Sequence, residues 1–332
     1  MTIQIEASSR VPWRGIMAPA ETRSYTDGHD LATALGMDWM VEPRTLVNLR
    51  GDIATPIPYR GVFRSDNNEC VGTVGRQWHA IQNHQLCQLV VDLSASAPIS
   101  LVGGGTLGRG EKVWVMADLG TRRIGNRTLR DGSPDELNQY LIFVTAHNGS
   151  GAAKIIPVPN QLHCSNALAG IIRHRGRYGW GIMHTRSAEC RLQQARGGLL
   201  NTVKWFAELA AELEELETQP FTTRDMHAFA EKMIGEMRQT LDDAREITDR
   251  AAAAREEDRL TLVRLFNEGA SCTGRTKVDA LNAVTEFISH HRRRARKGGD
   301  QMRAALSRLE DEWYGSRPIK TRQRALELLQ VR

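Results

Sequence analysis

The chain has 332 residues, enough for one large domain or two ordinary ones around a substantial buried core. Hydrophobic residues at 41% and charged residues at 25% are ordinary globular values, which excludes wholesale disorder. A net charge of +5 with a pI near 9.1 leans mildly toward an anionic partner, and where the charge sits matters more than its sum.

The start, Met1-Thr2-Ile3-Gln4-Ile5-Glu6, has neither a basic opening nor a long apolar run, so no signal peptide is expected. Residues 1–30 read as polar and irregular, broken by Pro12 and Pro19, with Trp13 docking the arm on the body. A short helix is predicted at Asp30–Leu35, ended by Gly36, and Met40–Arg50 can extend as a strand. Pro56 and Pro58 argue against regular structure as far as Tyr59. From Gly61 to Gly75, two β-rich runs flank a Ser65–Glu69 turn and predict a hairpin. After Asn83 the period becomes 3.6, with Leu86, Leu89, Val90 and Leu93 on one helical face.

A second hairpin is read from Ile99–Val102, a glycine-rich turn and Lys112–Leu119; a third joins Tyr140–Ala146 to Ala152–Val158 through His147-Asn148-Gly149-Ser150-Gly151. Beyond Ser165 the pattern is helical. Helices are predicted at Ser187–Glu217, Arg224–Met237, Leu241–Phe266, Lys277–Arg296, Asp300–Tyr314 and Ile319–Val331. In the first of these, Phe206, Leu209, Leu213 and Leu216 form an apolar face against Glu208, Glu212 and Glu215. The order predicts an α+β fold: a mainly antiparallel sheet domain over residues 1–200, then a helical region over 201–332. No run of about 18 apolar residues is present, so no membrane span is expected and the cytoplasm is the expected location.

The five cysteines, Cys70, Cys87, Cys164, Cys190 and Cys272, are scattered without CxxC spacing and read as free thiols. Gly103, Gly105 and Gly108 spell GxGxxG, but a strand follows where a dinucleotide site needs a helix. Arg109 and Gly110 stand where a P-loop needs lysine and a hydroxyl residue. The segment therefore reads as a hairpin turn, with Arg109 available to a phosphate backbone. His147, Ser150, His163 and Cys164 suggest nucleophilic chemistry, yet Cys164 follows an apolar run and reads as a small buried hydrophobe. Glu286 and His290 have i, i+4 spacing beside His291, without a third metal ligand at recognisable spacing. No catalytic residue, metal site or cofactor is expected.

The segment richest in binding chemistry is Arg173-His174-Arg175-Gly176-Arg177-Tyr178-Gly179-Trp180, with Arg186 beyond it. Guanidinium groups fork onto phosphates, and exposed aromatic rings stack on unpaired bases. Arg292, Arg293 and Arg294 end a helix, where cations complement the macrodipole or contact a second phosphate run.

Several segments together resemble the phage- and plasmid-borne family known as domain of unknown function 932. They are Val62-Phe63-Arg64-Ser65-Asp66 with Val71-Gly72-Thr73-Val74-Gly75 and Trp78, Gly104 to Trp114, His147 to Gly151, Pro157 to Asn166, and Asn282 to His291. Asn148 stands where an aspartate is expected from the family, and Asn160 and His163 where basic and valine residues are common. The resemblance implies a mobile-element origin without assigning an activity. The hairpin, helix and sheet order also resembles, at fold level, the core of RecT- and Redβ-type single-strand annealing proteins. The reading that follows is a homo-oligomeric DNA-binding protein, annealing single-stranded DNA without ATP in recombination or replication. Arg173, Arg175, Arg177 and Arg186 would hold phosphates, and Tyr178 or Trp180 would stack on bases. The alternative is a non-enzymatic mobile-element protein that binds a host or replication protein.

Overall fold

In the computed structural model the described residues are 18–19, 25, 27–94, 99–161, 180–188, 198–242, 249–291 and 316–330. The first helix, α1 (Gly28–Ala34), lies close to its predicted place because both ends are chemically marked. Asp27 caps it by accepting from the His29 amide at 2.6 Å, and Gly36 leaves it at φ 67°. Strands β2 (Val41–Arg50), β3 (Ile53–Arg64) and β4 (Cys70–Gly75) form an antiparallel sheet in the order β2-β3-β4. The β2–β3 connection is Gly51-Asp52, with Gly51 at φ 59° in the first central position, as a type II′ hairpin requires.

Pro56 and Pro58 do not stop β3. Pro56 faces Val47 at a position where its nitrogen points away from β2, and Pro58 falls where the register shifts between Thr45 and Val47. Neither proline is therefore asked for a ladder hydrogen bond, the one thing it cannot give.

Helix α2 (Asn83–Ser94) follows, with Leu86, Leu89, Val90 and Leu93 buried as their spacing predicts. The second sheet is built from β1 (Ala18–Pro19), β5 (Ser100–Leu107), β6 (Lys112–Thr128), β7 (Pro134–Ala146), β8 (Ala153–Gln161) and β9 (Trp180–Ile182). Its order is β1-β5-β6-β7-β8-β9. The first half of the glycine-rich run, Gly103–Gly105, is strand, and the predicted turn is confined to Gly108–Glu111. A Cβ on Gly104 would lie 2.6 Å from the Trp114 carbonyl oxygen and 2.9 Å from a Leu35 methyl, so the close approach of the β6 backbone, with Leu35 at the end of α1 above it, accounts for glycine inside β5. Strand β9 falls where the sequence reads as helical.

The helices are α3 (Gly198–Glu217), α4 (Thr223–Asp242), α5 (Asp249–Glu268), α6 (Lys277–Glu286), a π-helical turn Phe287–His291, and α7 (Ser316–Gln330). The helix predicted at Asp300–Tyr314 lies outside the described residues. Among the described residues, no helix is long and apolar enough to cross a membrane. The architecture is α+β with a helical C-terminal region, as the sequence predicts.

Contacts divide the chain into two units. The first holds the described residues up to Gly120, those of Tyr140–Pro157 and those of Gly176–Lys204. Its core packs Leu31, Leu35, Leu86 and Val90 against Val113, Val115, Leu141 and Phe143.

The second unit holds Thr121–Gln139, the described residues of Val158–Arg175 and those from Trp205 onward. Phe206, Leu209, Leu213 and Leu216 of α3 are all buried in it, as their helical spacing predicts. Its interior also contains a complete arginine side chain. Arg127, on β6, has no exposed side-chain surface and uses all five of its N–H donors. Nε donates to Asp135 at 2.7 Å, Nη1 to Glu217 and to Thr276 Oγ1, and Nη2 to the Ser271 carbonyl at 2.9 Å and to Asp279. Asp279 sits at the third position of α6 and also accepts from the amides of Thr273, Arg275 and Thr276 at 2.7 to 2.9 Å. Burial by itself would raise the Asp279 pKa, but the charge and hydrogen bond of Arg127 hold it below the usual carboxylate value.

Arg127→Met strands two buried carboxylates and is expected to cost about 3–5 kcal/mol, read from urea unfolding at pH 7. The lowered Asp279 pKa makes its contribution present above the unfolded value of 3.8 and lost as pH falls through the folded one. Unfolding midpoints of the wild type should therefore drop below about pH 4, and Asp279→Asn should flatten that part of the acid slope.

Candidate nucleic-acid interface

One end of the first unit is built around Arg60. In register, Tyr59 faces Gly75 and Arg60 faces Val74, so the chain leaving β4 passes beside both residues. Arg60 Nη2 donates to the carbonyls of Arg76 and Trp78 at 2.5 and 2.6 Å, holding this loop by its backbone. A second strap joins it to the segment after β9. The His79 amide donates to the His184 carbonyl at 3.0 Å, and His184 Nδ1 meets the His79 carbonyl at 3.1 Å. A carbonyl oxygen only accepts, so Nδ1 carries the proton and Nε2 accepts from Thr145 Oγ1 at 3.2 Å. Burial lowers the His184 pKa and keeps the ring neutral, and the ring stacks on Trp78 at 4.9 Å.

With its backbone held inward, the loop turns its other side chains outward. In the loop Arg76, Gln77 and His79 are exposed, and so are Met183 (58%), Thr185 and Arg186 of the segment strapped to it; on β3, next to Arg60, Tyr59 is 52% exposed. Trp78 itself packs on the core. Neither Arg76 nor Arg186 makes an ion pair among the described residues. The three segments that meet here, Ile53–Arg64, Val71–Asn83 and Trp180–Ala188, contain no aspartate or glutamate. Among the described residues, these segments therefore carry Arg76 and Arg186 without ion-pair partners, together with the exposed Tyr59 and Met183 side chains.

Of the residues singled out from sequence, Arg186 belongs to this cluster, and Trp180 opens the strand that leads into it, its Cα paired with Ile155. Arg173, Arg175, Arg177, Tyr178, Arg292, Arg293 and Arg294 lie outside the described residues. Arg109 is exposed, but it is already engaged, with Glu111 at 3.1 Å and Glu69 at 3.3 Å. The hydrogen bond it donates to Glu111 and the charge of both acids raise its pKa. It sits at the far end of β3, where Arg64 donates to its carbonyl at 2.7 Å. Tyr59, Arg60 and Arg76 are missing from the sequence reading. The signal that finds them is the absence of acids: none between Asp52 and Asp66, between Glu69 and Asp92, or between Glu136 and Glu189.

The His147 loop is structural. The Asn83 amide nitrogen donates to the carbonyls of Met37 and Trp39 at 3.1 and 2.9 Å, which turns its oxygen toward His147 Nε2 at 2.8 Å. His147 is fully buried, and burial pushes its pKa down to about 3, so it stays neutral. Ser150 is exposed and does not meet it; its amide donates to Asn148 Oδ1 at 3.0 Å in an Asx turn. Aspartate closes the same turn through the same oxygen, which accounts for Asn148 in its place. Gly72 of β4 lies so close that a Cβ there would come within 2.3 Å of Asn148 Cα. His163 and Cys164 lie outside the described residues.

Glu286 ends α6 with Oε2 buried and unpaired, and Oε1 stands 3.9 Å from His291 Nε2. Among the described residues no three His, Cys, Asp or Glu side chains gather as metal ligands would. Burial raises the Glu286 pKa above its ordinary 4.5. A raised carboxyl contributes its full stability below the unfolded pKa and loses it as pH rises through the folded value. Glu286→Gln should therefore match the wild type in Tm at pH 4 and exceed it at pH 8, in paired thermal melts.

Residues 70–322 match the family model described as Domain of unknown function (DUF932). No curated protein and no solved structure matches the chain. The matched span includes the Arg76–His79 loop, the His147 loop and the whole Arg127 cluster, and it covers well over half of the sequence. The chain belongs to the DUF932 family.

Proposed function

We propose that the protein binds single-stranded nucleic acid across the Tyr59, Arg76 and Arg186 surface of its first unit. The observation that carries this reading is the acid-free meeting of three segments, which leaves exposed guanidinium groups without counter-charges among the described residues. Phosphates supply those counter-charges and release condensed cations into solution as they do so. Tyr59 and Met183 favour single strands over duplex, because an exposed ring and thioether are useful only where base faces are open. The Arg60 and His184 straps fix the loop beforehand, so little order has to be gained on binding.

Strand annealing in a mobile element, the role read from the sequence, rests on this binding, since it needs only that bound strands remain open to pairing. An acidic protein partner uses the same cations but makes no use of the exposed ring.

The test is fluorescence anisotropy with a labelled single-stranded oligonucleotide over a salt series, without ATP or metal. Binding should weaken steeply with salt. Arg76→Ala with Arg186→Ala removes two phosphate contacts and should reduce the log–log salt slope by about 1.4. Tyr59→Ala should cost about 1–3 kcal/mol of affinity with the slope unchanged, while Arg109→Ala leaves both nearly unaltered. No retardation at low salt would reject the reading in favour of a protein partner.

A further inference from the structure

The outer part of the β2–β3 hairpin stands clear of the rest of its unit. Strand β4 pairs with β3 only from Tyr59 to Phe63, so Val47–Arg50 and Ile53–Pro56 form a two-stranded arm. Every residue of those two stretches is exposed, and Leu49 and Ile53 reach 70%. Val47, Leu49, Ala54 and Pro56 share one face of the arm, a wholly apolar one. A lone two-stranded hairpin is marginal in water; stability needs further strands.

The direction of each backbone group along β2 follows from two independent markers. Arg50 and Ile53 flank the two-residue turn and exchange hydrogen bonds, so Leu49 and Val47 point their N–H and C=O groups away from β3. At the inner end, Val41 also points away, because its amide and carbonyl are both taken by the Gln82 side chain at 2.9 and 3.0 Å. Pro43 points the same way and has no N–H to offer. The inner half of this edge is thus closed by Gln82 and Pro43, and the opposite edge of the arm carries Pro56 and Pro58. Among the described residues, Thr45, Val47 and Leu49 are left as an open, unguarded strand edge, the kind that other strands add to.

We propose that this edge pairs antiparallel with the same edge of a second copy of the chain, on a two-fold axis at Asn48. The register follows from elimination. Centring on Val47 would set Arg50 against Arg44 and Asp52 against Glu42 of the second copy, two like-charge contacts on each side. Centring on Leu46 would place Pro43 opposite Leu49, where a ladder donor is missing. Centring on Asn48 sets Leu49 against Val47 of the second copy and brings Asp52 to its Arg44, and the two-fold repeats both contacts. The arms then form a four-stranded sheet with a continuous apolar face, closed by one isologous interface. This inference does not depend on nucleic-acid binding.

Sedimentation and disulfide trapping of the full chain test it. The wild type should sediment at twice the monomer mass. Val47→Pro removes only an outward-facing N–H, leaves the hairpin ladder intact and should give monomer. Residues at the axis approach to about 4.5 Å between Cα atoms, within disulfide reach. Oxidised Asn48→Cys should therefore cross-link as a dimer, whereas Thr55→Cys on β3 should yield no more dimer than the wild type with its native thiols. A monomeric wild type overturns the proposal, as does a dimer that survives Val47→Pro or that Asn48→Cys fails to trap.

Discussion

A buried arginine with every donor filled organises the second unit. Arg127 comes from a strand, and its partners come from the neighbouring strand, the end of α3, the turn before α6 and the first turn of α6 itself. No apolar side chain can specify so many elements at once, because apolar contact has no direction while a guanidinium fork does. The arrangement holds together because the carboxylates have other donors as well. Asp279 takes three backbone amides, so its charge is met even though it is removed from water. The cation and the α6 cap are one network; loosening either leaves a buried charge exposed to the cost of desolvation.

The first unit solves a similar problem with neutral groups. Asn83 holds two carbonyls and His147, Gln82 closes the backbone of Val41, and His184 links Thr145 to the His79 carbonyl. Both histidines are kept uncharged by burial, so these bonds keep their donor and acceptor roles through physiological pH. Interior polarity is thereby committed to holding loops. What the Arg76–His79 loop and the segment after β9 present outside is the formal charge of Arg76 and Arg186.

Much of the fold was legible because its signals are local. The α1 cap and Gly36, the 3.6 period of α2, the β3–β4 turn residues and the apolar face of α3 each declare an element within a few residues. What was not legible depends on partners distant in sequence. Proline is compatible with β3 because of which way each nitrogen faces, and glycine sits inside β5 because the β6 backbone and Leu35 approach it. The outer half of β6 and the short β9 are strands because others lie beside them. The same distinction divides the candidate site. Arg109 and Arg76 look alike in sequence; among the described residues one has two acids folded onto it and the other has none, and only the fold separates them.

Strand β3 connects these features. Its first residues form the exposed arm, its middle carries Tyr59 and Arg60, and its end holds Arg64 against the Arg109 turn. A strand supported on only part of its length would ordinarily fray. Here the supported part is pinned by β4 and by side-chain hydrogen bonds, so the exposed part is held at a defined origin and in a defined register. On its partner β2 the free edge is closed by Gln82 and Pro43 at the inner end and, among the described residues, open along Thr45, Val47 and Leu49, while the unsupported edge of β3 itself carries Pro56 and Pro58. That contrast is what distinguishes an edge kept for a partner from one that is merely tolerated.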